Sequence, residues 1–234
     1  MARVLITGSA GGLGREAARL LVGAGHEVVL HARDEARTRE ALAAVPGAAA
    51  ALAGDLASIA QTTELAHRAN ESGAFDAVIH NAGIGYREPR RIETEDGLAH
   101  VFQVNVLAPY LLTALVRRPG RLIYLSSGIA SARPQATWTV AASICGAVEA
   151  LTRALAVELA PIRVNAVAPG VVRSNLWRDM SEDDRSAMYA SLAQALPAGR
   201  AGEVDDVAET VLYLMRNGYS TGTVVTIDGG SVLV

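Results

Sequence analysis

Short apolar runs alternate with longer amphipathic segments along the whole chain. The runs contain few polar positions, which is typical of strands buried on both faces of a sheet. Seven of them predict strands at Arg3–Thr7, Glu27–His31, Ala48–Leu52, Asp76–His80, Arg121–Ser126, Arg163–Ala168 and Thr223–Ile227. The segments between them predict helices at Leu13–Ala24, Glu35–Ala44, Ser58–Ser72, Gly97–Val116, Thr139–Leu159 and Val204–Arg216. This alternation predicts an α/β fold with a parallel sheet and helices on both faces.

One long segment lacks strand character. Residues 171–200 are predicted to be partly helical over Ser174–Ala195, and they follow a strand near the expected carboxyl edge of the sheet. Insertions at that edge often cover a substrate site, so residues 171–200 are predicted to form a lid. No linker or repeat divides the chain, and residues 1–234 are predicted to form one domain.

Composition narrows the possible partners. The net charge is -3 and the basic residues are dispersed, which argues against a nucleic-acid partner. The one cysteine, Cys145, cannot form an internal disulfide, which suits a cytoplasmic protein. The five histidines are scattered, so no metal site is expected. No apolar stretch approaches the length of a membrane span, and Val4–Ile6 is too short for a signal-peptide core, so no membrane association is expected.

A glycine-rich turn follows the first predicted strand. Gly8, Gly12 and Gly14 lie within residues 7–14, between that strand and the first predicted helix. Glycines at this spacing allow a tight turn and let a diphosphate approach the amino end of the helix closely. Because the turn lies within a βαβ unit, it predicts a dinucleotide site.

With this turn the chain resembles the short-chain dehydrogenase/reductase family, whose TGxxxGxG pattern it shows at residues 7–14. Further family motifs follow in the same order over nearly the whole chain: Asp55-Leu56, Asn81-Ala82-Gly83, Asn105, Ser126-Ser127, Arg163-Val164-Asn165, Pro169-Gly170 and Asp228-Gly229-Gly230. The resemblance implies a doubly wound, Rossmann-type sheet of seven strands in the order 3-2-1-4-5-6-7. It also implies a homodimer or homotetramer, formed through the helices predicted at Gly97–Val116 and Thr139–Leu159.

The resemblance also implies the residues that contact the dinucleotide. These are Gly8, Ser9, Gly12, Leu13, Gly14, Asp55, Leu56, Asn81, Ala82, Gly83, Pro169, Gly170, Val172 and Ser174, the last in place of a threonine. NAD enzymes of this fold carry an acidic side chain at the end of the second strand, where this chain has Ala32 followed by Arg33. A guanidinium suits a 2′-phosphate, and Arg15, early in the first predicted helix, could assist, so NADP(H) is expected rather than NAD(H). The alternative is that Arg33 is a solvated loop residue.

The catalytic positions depart from the family pattern. The resemblance implies a catalytic serine at Ser127 and an active-site asparagine at Asn105, followed by a tyrosine and a lysine four residues apart. Counting from Ser127 places Val140 and Ile144 at those two positions. Neither side chain can donate a proton, and the chain contains no lysine, since its 21 basic residues are all arginine. Losing a general acid typically costs roughly 10²–10⁴-fold in rate, so very slow reduction of simple ketones is predicted, and Val140→Tyr with Ile144→Lys is predicted to restore it.

Other residues near these positions could replace the proton donor. Tyr86 follows the Asn81-Ala82-Gly83 turn, His80 precedes it, and Trp138 and Cys145 flank the vacant positions. A purely structural role is the stronger interpretation for each of them, because no spacing dictates a catalytic one.

Three functions therefore remain open. The main prediction is an NADP(H)-dependent oxidoreductase that acts on a carbonyl or alcohol group of a small molecule by a non-standard proton path. The alternatives are a redox-inactive cofactor-binding protein and a non-redox catalyst, such as a cyclase, dehydratase or isomerase. The first is preferred because a bound cofactor supplies much of the chemistry itself.

Overall fold

A computed structural model describes residues 1–85, 91–132 and 138–234, apart from the side chain of Ile129. Seven parallel strands form one sheet in it: β1 (Arg3–Ile6), β2 (Glu27–Ala32), β3 (Ala50–Ala53), β4 (Ala77–His80), β5 (Arg121–Leu125), β6 (Arg163–Pro169) and β9 (Val224–Ile227). Their order in the sheet is β3-β2-β1-β4-β5-β6-β9. The predicted number of strands and their order are thereby confirmed. Val28, Val29 and Leu30 are fully buried, as expected of a central strand covered on both faces.

Helices cover both faces of this sheet. They are α1 (Gly12–Gly23), α2 (Glu35–Ala44), α3 (Ile59–Glu71), α4 (His100–Phe102), α5 (Ala108–Leu115), α6 (Gly128–Ser131), α7 (Thr139–Glu158), α8 (Glu182–Ala195) and α9 (Val204–Arg216). Helix α1 packs against α9 on one face, where Ala17, Ala18 and Leu21 form a stripe at helical spacing. Helices α3, α5 and α7 contribute to the core on the other face. Alternate residues of β1 enter the two cores, Val4 and Ile6 on one side and Leu5 on the other.

Side-chain caps fix several helix starts. Asp34 accepts a hydrogen bond from the N–H of Arg37 at 2.8 Å at the start of α2, and Ser58 accepts one from Gln61 at 3.3 Å at the start of α3. The predicted bounds agree with the structure for α2 and differ by one residue at each end for α3, and these caps account for where both helices begin.

The helix predicted over Gly97–Val116 is not continuous. A π-helical segment, Gln103–Leu107, separates α4 from α5. Pro109 has no N–H to donate to the carbonyl of Asn105 four residues earlier, so the α-helical pattern cannot pass through this point. A π segment often marks a functional site, and Asn105 lies within this one.

The segment 171–200 contains more structure than the sequence predicted. Strand β7 (Val172–Arg173) pairs in parallel with β8 (Gly202–Glu203), and a 3₁₀ turn, Asn175–Trp177, precedes α8. Of the fourteen residues of α8, Tyr189 is the buried one. Residues 171–200, called the cover segment below, are therefore exposed over most of α8 and anchored by the pairing of β7 with β8.

Helix α7 corrects one expectation. It is long and apolar enough, by length and composition alone, to cross a membrane, although the sequence was expected to contain no such stretch. In this fold it packs against β6, and Cys145, Val148 and Leu155 bury one of its faces in the core. Core helices of soluble proteins share this composition.

Candidate active site

A cleft of about 710 Å³ opens at the carboxyl edge of the sheet. It is lined by residues that directly follow neighbouring strands, including Arg33 after β2, Asn81 after β4 and Ser126 after β5. Ligands of open α/β sheets bind at this edge, where the strand order reverses beside β1. We call the part that faces residues 8–14 and 31–37 the turn half, and the part that faces Ser126, Ser127 and α7 the α7 half.

The glycine-rich turn is fixed by the loop after β4. The hydroxyl of Thr7 accepts hydrogen bonds from the N–H groups of Asn81 at 3.0 Å and Ala82 at 3.1 Å, and the Asn81 side chain donates to the carbonyls of Thr7 and Gly8. A Cβ at Gly8 would lie 2.8 Å from the Cα of Ala82, and one at Gly14 would collide with the Asn81 amide. Packing of the protein on itself therefore requires glycine at both positions.

His31, which the sequence analysis did not single out, supports the same turn. Its Nδ1 accepts a hydrogen bond from the N–H of Gly8 at 3.0 Å, and its Nε2 bonds to the carbonyl of Gly54 at 2.9 Å. The first bond requires an acceptor and the second a donor, so the ring is neutral with its proton on Nε2. Burial lowers the pKa of His31 to about 4, against a weaker opposing effect of the Gly54 carbonyl.

The amino end of α1 fits the diphosphate of a dinucleotide. Gly11 caps the helix without a side-chain hydrogen bond, and the first turn contains no acidic residue. The first amides of a helix have no intrahelical acceptor and attract an anion. Among the residues predicted to contact the cofactor, Gly8, Gly12 and Leu13 line the cleft here.

Two arginines line the turn half. Arg33 is 71% exposed and forms an ion pair with Asp34 at 3.3 Å. Arg37, which the sequence analysis missed, also lines the cleft and pairs with Glu40 at 3.1 Å. The signal in the sequence that could have identified Arg37 is its position four residues after Arg33. Asp55 and Leu56 line this part of the cleft as well.

The cover segment reaches the glycine-rich turn through Asn175. A Cβ at Gly12 would lie 2.8 Å from Asn175 Oδ1, and one at Gly11 would lie 3.0 Å from its Nδ2. Ser174 caps the 3₁₀ turn by accepting a hydrogen bond from Leu176 at 3.4 Å. The side chains of residues 174–178 all line the cleft, as do Pro169, Gly170 and Val172. No sequence motif pointed to Asn175.

The two serines after β5 differ in their partners. Ser126 donates a hydrogen bond from Oγ to Glu149 Oε1 at 3.1 Å, across to α7. Ser127 is 7% exposed, and its hydroxyl has no hydrogen-bond partner within the described part of the chain. Both serines line the cleft. The α7 half thus contains a hydroxyl linked to a carboxylate and a second hydroxyl that is available to a ligand.

The side chain of Asn105 is occupied by the backbone of the loop after β4. Its Oδ1 accepts a hydrogen bond from the N–H of Ile84 at 3.0 Å, and its Nδ2 donates to the Ile84 carbonyl at 2.9 Å. Asn105 also lines the cleft, together with Ala82 and Gly83. Through these bonds Asn105 holds the loop after β4 in position beside the α7 half.

The two positions that the sequence assigned to the missing tyrosine and lysine face different surroundings. Ile144 lines the cleft, whereas Val140 is 65% exposed and does not contribute to the described lining. Cys145, the residue after Ile144, lines the cleft and is 6% exposed. Ala141 lies one turn before Cys145 and shares its side of α7.

The other candidate proton donors take different places. Tyr86 lies outside the described residues. Trp138 lines the cleft. His80 stacks on Tyr124 with the ring centroids 4.7 Å apart, its Nε2 bonds to the hydroxyl of Thr113 at 3.2 Å, and its Nδ1 is buried without a partner among the described residues. Burial lowers the pKa of His80 to about 3, so the ring stays neutral inside the core.

Comparison with known sequences identifies relatives over most of the chain. Residues 8–231 match the family model described as enoyl-(acyl carrier protein) reductase. The chain is 32% identical to the L-xylulose reductase of Bos taurus over 97% of its own length and 95% of that protein. It is 54% identical to an uncharacterized oxidoreductase of Emericella nidulans over 129 residues, and that match spans 54% of this chain and 51% of the relative. The matched region thus spans about half the length of that relative.

Comparison with solved structures gives the same assignment. The MalC reductase/Diels-Alderase of Malbranchea aurantiaca has a TM-score of 0.86 at 26% identity, with 99% of this chain and 96% of that one covered. A small-chain dehydrogenase in complex with NADPH has a TM-score of 0.75 at 26% identity over 99% of both chains. The RhlG/NADP complex of Pseudomonas aeruginosa has a TM-score of 0.84 at 28% identity, covering 98% of this chain and 96% of that one. Together with the family match, this shows that the chain belongs to the short-chain dehydrogenase/reductase family of oxidoreductases.

Proposed function

We propose that this protein is an NADP(H)-dependent oxidoreductase that acts on a carbonyl or alcohol group through a proton path formed by Ser126 and Glu149. The observation that carries the proposal is the 3.1 Å hydrogen bond that Ser126, a residue of the cleft lining, donates to Glu149 on α7. It lies in the half of the cleft that has no tyrosine and lysine pair.

The turn half would hold the cofactor. The amides at the start of α1 would bind its diphosphate, and Arg33 with Arg37 would bind a 2′-phosphate. Ala32 places no carboxylate there, which favours NADP(H) over NAD(H). Solved structures of relatives with NADPH and NADP support the same cofactor. When bound, the nicotinamide supplies or accepts the hydride.

The remaining side chains of the α7 half account for the proton. Because Ser126 donates its own proton to Glu149, its oxygen can accept a proton from a substrate hydroxyl while its hydrogen passes to the carboxylate. In carbonyl reduction the same atoms return a proton to the developing alkoxide, and the half-buried Glu149 regains one from solvent. The unpaired hydroxyl of Ser127 would donate a hydrogen bond to the carbonyl oxygen and polarise it.

Glu149→Gln tests the path, because glutamine keeps the shape and a hydrogen-bonding group but cannot accept the proton. We expect turnover to fall roughly 10²-fold or more, with unchanged NADPH affinity and a changed pH profile of kcat. Glu149→Asp should recover part of the activity. Glu158→Gln, at an exposed position of the same helix, is the matched control. A Glu149→Gln variant with wild-type kcat and pH profile would refute the path.

A second candidate function is non-redox catalysis on the same scaffold. Apolar Ile144 lines the wall where the family pattern would place a charged residue, and a structural neighbour is described as a reductase/Diels-Alderase. Such a reaction would consume substrate with no change in NADPH absorbance. Following product formation by mass spectrometry beside NADPH absorbance therefore distinguishes the two functions.

We also propose a homodimer or homotetramer formed through α4–α5 and α7. These helices expose apolar side chains, including Phe102 at 44%, Tyr110 at 51% and Val157 at 81%. Apolar groups on two neighbouring elements are typical of an interface. Sedimentation at micromolar concentration should give a mass of two or four chains, and a monodisperse monomer would contradict the proposal.

A further inference from the structure

Helix α7 and the cover segment give the cleft apolar and aromatic walls. Ile144 and Val148 come from α7 and Leu176 from the cover segment. The chain contains two tryptophans, and both line this cleft, Trp138 at the start of α7 and Trp177 in the 3₁₀ turn. The Trp177 ring is fixed because its Nε1 donates to the carbonyl of Val172 at 2.9 Å. Indole faces pack well against flat rings.

Most polar side chains of the α7 half form hydrogen bonds within the protein. Asn105 is bound to the backbone of Ile84, and Ser126 is bound to Glu149. Ser127 differs, because this residue, 7% exposed, lines the cleft and its hydroxyl has no hydrogen-bond partner within the described ranges. A hydroxyl that the protein leaves unpaired at a cleft wall can donate a hydrogen bond to an acceptor on the ligand.

We infer that the substrate is a flat, largely apolar ring ketone that presents one carbonyl to Ser127 and packs its rings on the indoles. That this ligand is a substrate rests on the function proposed above, whereas the preference of the cleft for binding a flat ring ketone does not. A sugar such as L-xylulose carries several hydroxyls, and each one buried without a partner weakens binding by roughly five- to a hundred-fold. This chain would therefore differ from its L-xylulose reductase relatives in the class of ligand that it binds.

Binding is measured by quenching of tryptophan fluorescence and by calorimetry, with the protein saturated with NADP⁺. The probes are α-tetralone, a flat aromatic ketone, the saturated and puckered 1-decalone, and L-xylulose. We expect α-tetralone to bind at least about tenfold more tightly than L-xylulose and a few-fold more tightly than 1-decalone, as ring stacking on the indoles predicts. L-xylulose binding as tightly as α-tetralone, or no binding of α-tetralone, would overturn the inference.

Two variants locate the contacts. Ser127→Ala should weaken α-tetralone binding roughly 2–12-fold, the range of one neutral hydrogen bond. Trp138→Leu should weaken it by a similar factor through the lost stacking. Ser186→Ala, at an exposed position on α8, is the matched control and should leave binding unchanged. Unchanged α-tetralone affinity in Ser127→Ala and Trp138→Leu would remove the assigned contacts and with them the inference.

The same assays separate this inference from the proposed function. Tight α-tetralone binding without NADPH oxidation would refute the oxidoreductase and keep the ligand class. NADPH oxidation with L-xylulose, in a protein that does not bind α-tetralone, would keep the oxidoreductase and refute the ligand class.

Discussion

The turn half and the α7 half of the cleft differ in how their polar groups are paired. In the turn half, Thr7, His31 and Asn81 all bond to neighbouring backbone, so the glycine-rich turn is held in shape by the protein alone. In the α7 half, Ser127 is left unpaired and Ile144 presents a hydrocarbon surface. The hydrogen bonds that shape the glycine-rich turn involve no residue of α7 within the described ranges, so the turn half does not depend on the side chains that α7 carries.

Placing a tyrosine and a lysine at positions 141 and 145, one turn apart on α7, should give the largest effect. Ala141→Tyr with Cys145→Lys is expected to raise NADPH-dependent reduction of 2,3-butanedione roughly 10²-fold or more, because it restores a general acid and the charge that lowers its pKa. Cys145 already lines the cleft, so a lysine there can reach the ligand. Thermal melting of the variant establishes that it remains folded.

The matched comparison is Val140→Tyr with Ile144→Lys, the pair that counting along the sequence selects. Its gain should be smaller, because Val140 is 65% exposed and is not part of the described cleft lining. A larger gain from the Val140 pair would show that α7 presents the other side to the ligand.

Arg33→Ala should selectively weaken the turn half. The expected loss of NADPH affinity is about 1.5–3 kcal/mol, the range of a hydrogen bond to a charged group, with little change for NADH. Arg19→Ala, an exposed arginine of α1, controls for the loss of one positive charge. Fluorescence titration of the two cofactors measures both affinities, and equal losses for NADPH and NADH would contradict a role of Arg33 in selectivity.

Acid should destabilise the protein through both buried histidines. Their pKa values are lowered from 6.5 to about 4 for His31 and about 3 for His80 by burial, so below pH 6.5 the unfolded chain binds protons that the folded chain refuses. Each histidine should therefore reduce the free energy of unfolding by about 1.4 kcal/mol per pH unit between pH 6.5 and 4.

Substitution of each histidine tests this origin and separates His31, which lines the turn half, from His80, which lies in the core. Urea unfolding at several pH values should show that the free energy of unfolding depends less steeply on pH in His80→Asn, while NADPH affinity is preserved. His31→Asn should reduce the slope and also weaken NADPH binding, because Gly8 loses its acceptor. A wild-type slope in both buried-site variants would rule out this origin.

The smallest effect is expected at Val140. Val140→Ala should change the free energy of unfolding by less than about 0.5 kcal/mol, as is usual for exposed sites, and should leave ligand binding unchanged. Ile144→Ala should change the binding of ring ketones, because that side chain lines the cleft. Denaturant unfolding and fluorescence titration of the two variants check the contrast, and equal effects on ligand binding would contradict it.

Local signals in the sequence were sufficient for most of the fold. Apolar runs buried on both faces predicted all seven strands of the sheet, and caps such as Asp34 fixed helix starts. Pro109 is a sequence signal for the break in the helix predicted over Gly97–Val116, although the sequence prediction treated that helix as continuous. The glycine-rich turn and the absence of lysine were likewise readable without coordinates, because each depends on residue type alone.

The tertiary structure decided which groups meet. Ser126 and Glu149 are 23 residues apart, as are His31 and Gly8, and no local pattern marks either pair. The side of α7 that faces the cleft depends on the rotation of the helix about its axis, which packing of Cys145 and Val148 against the sheet fixes. A shift of one residue along a helix turns a side chain by about 100°. Sequence therefore determined the elements and the missing chemistry, whereas packing determined which side chains surround the ligand.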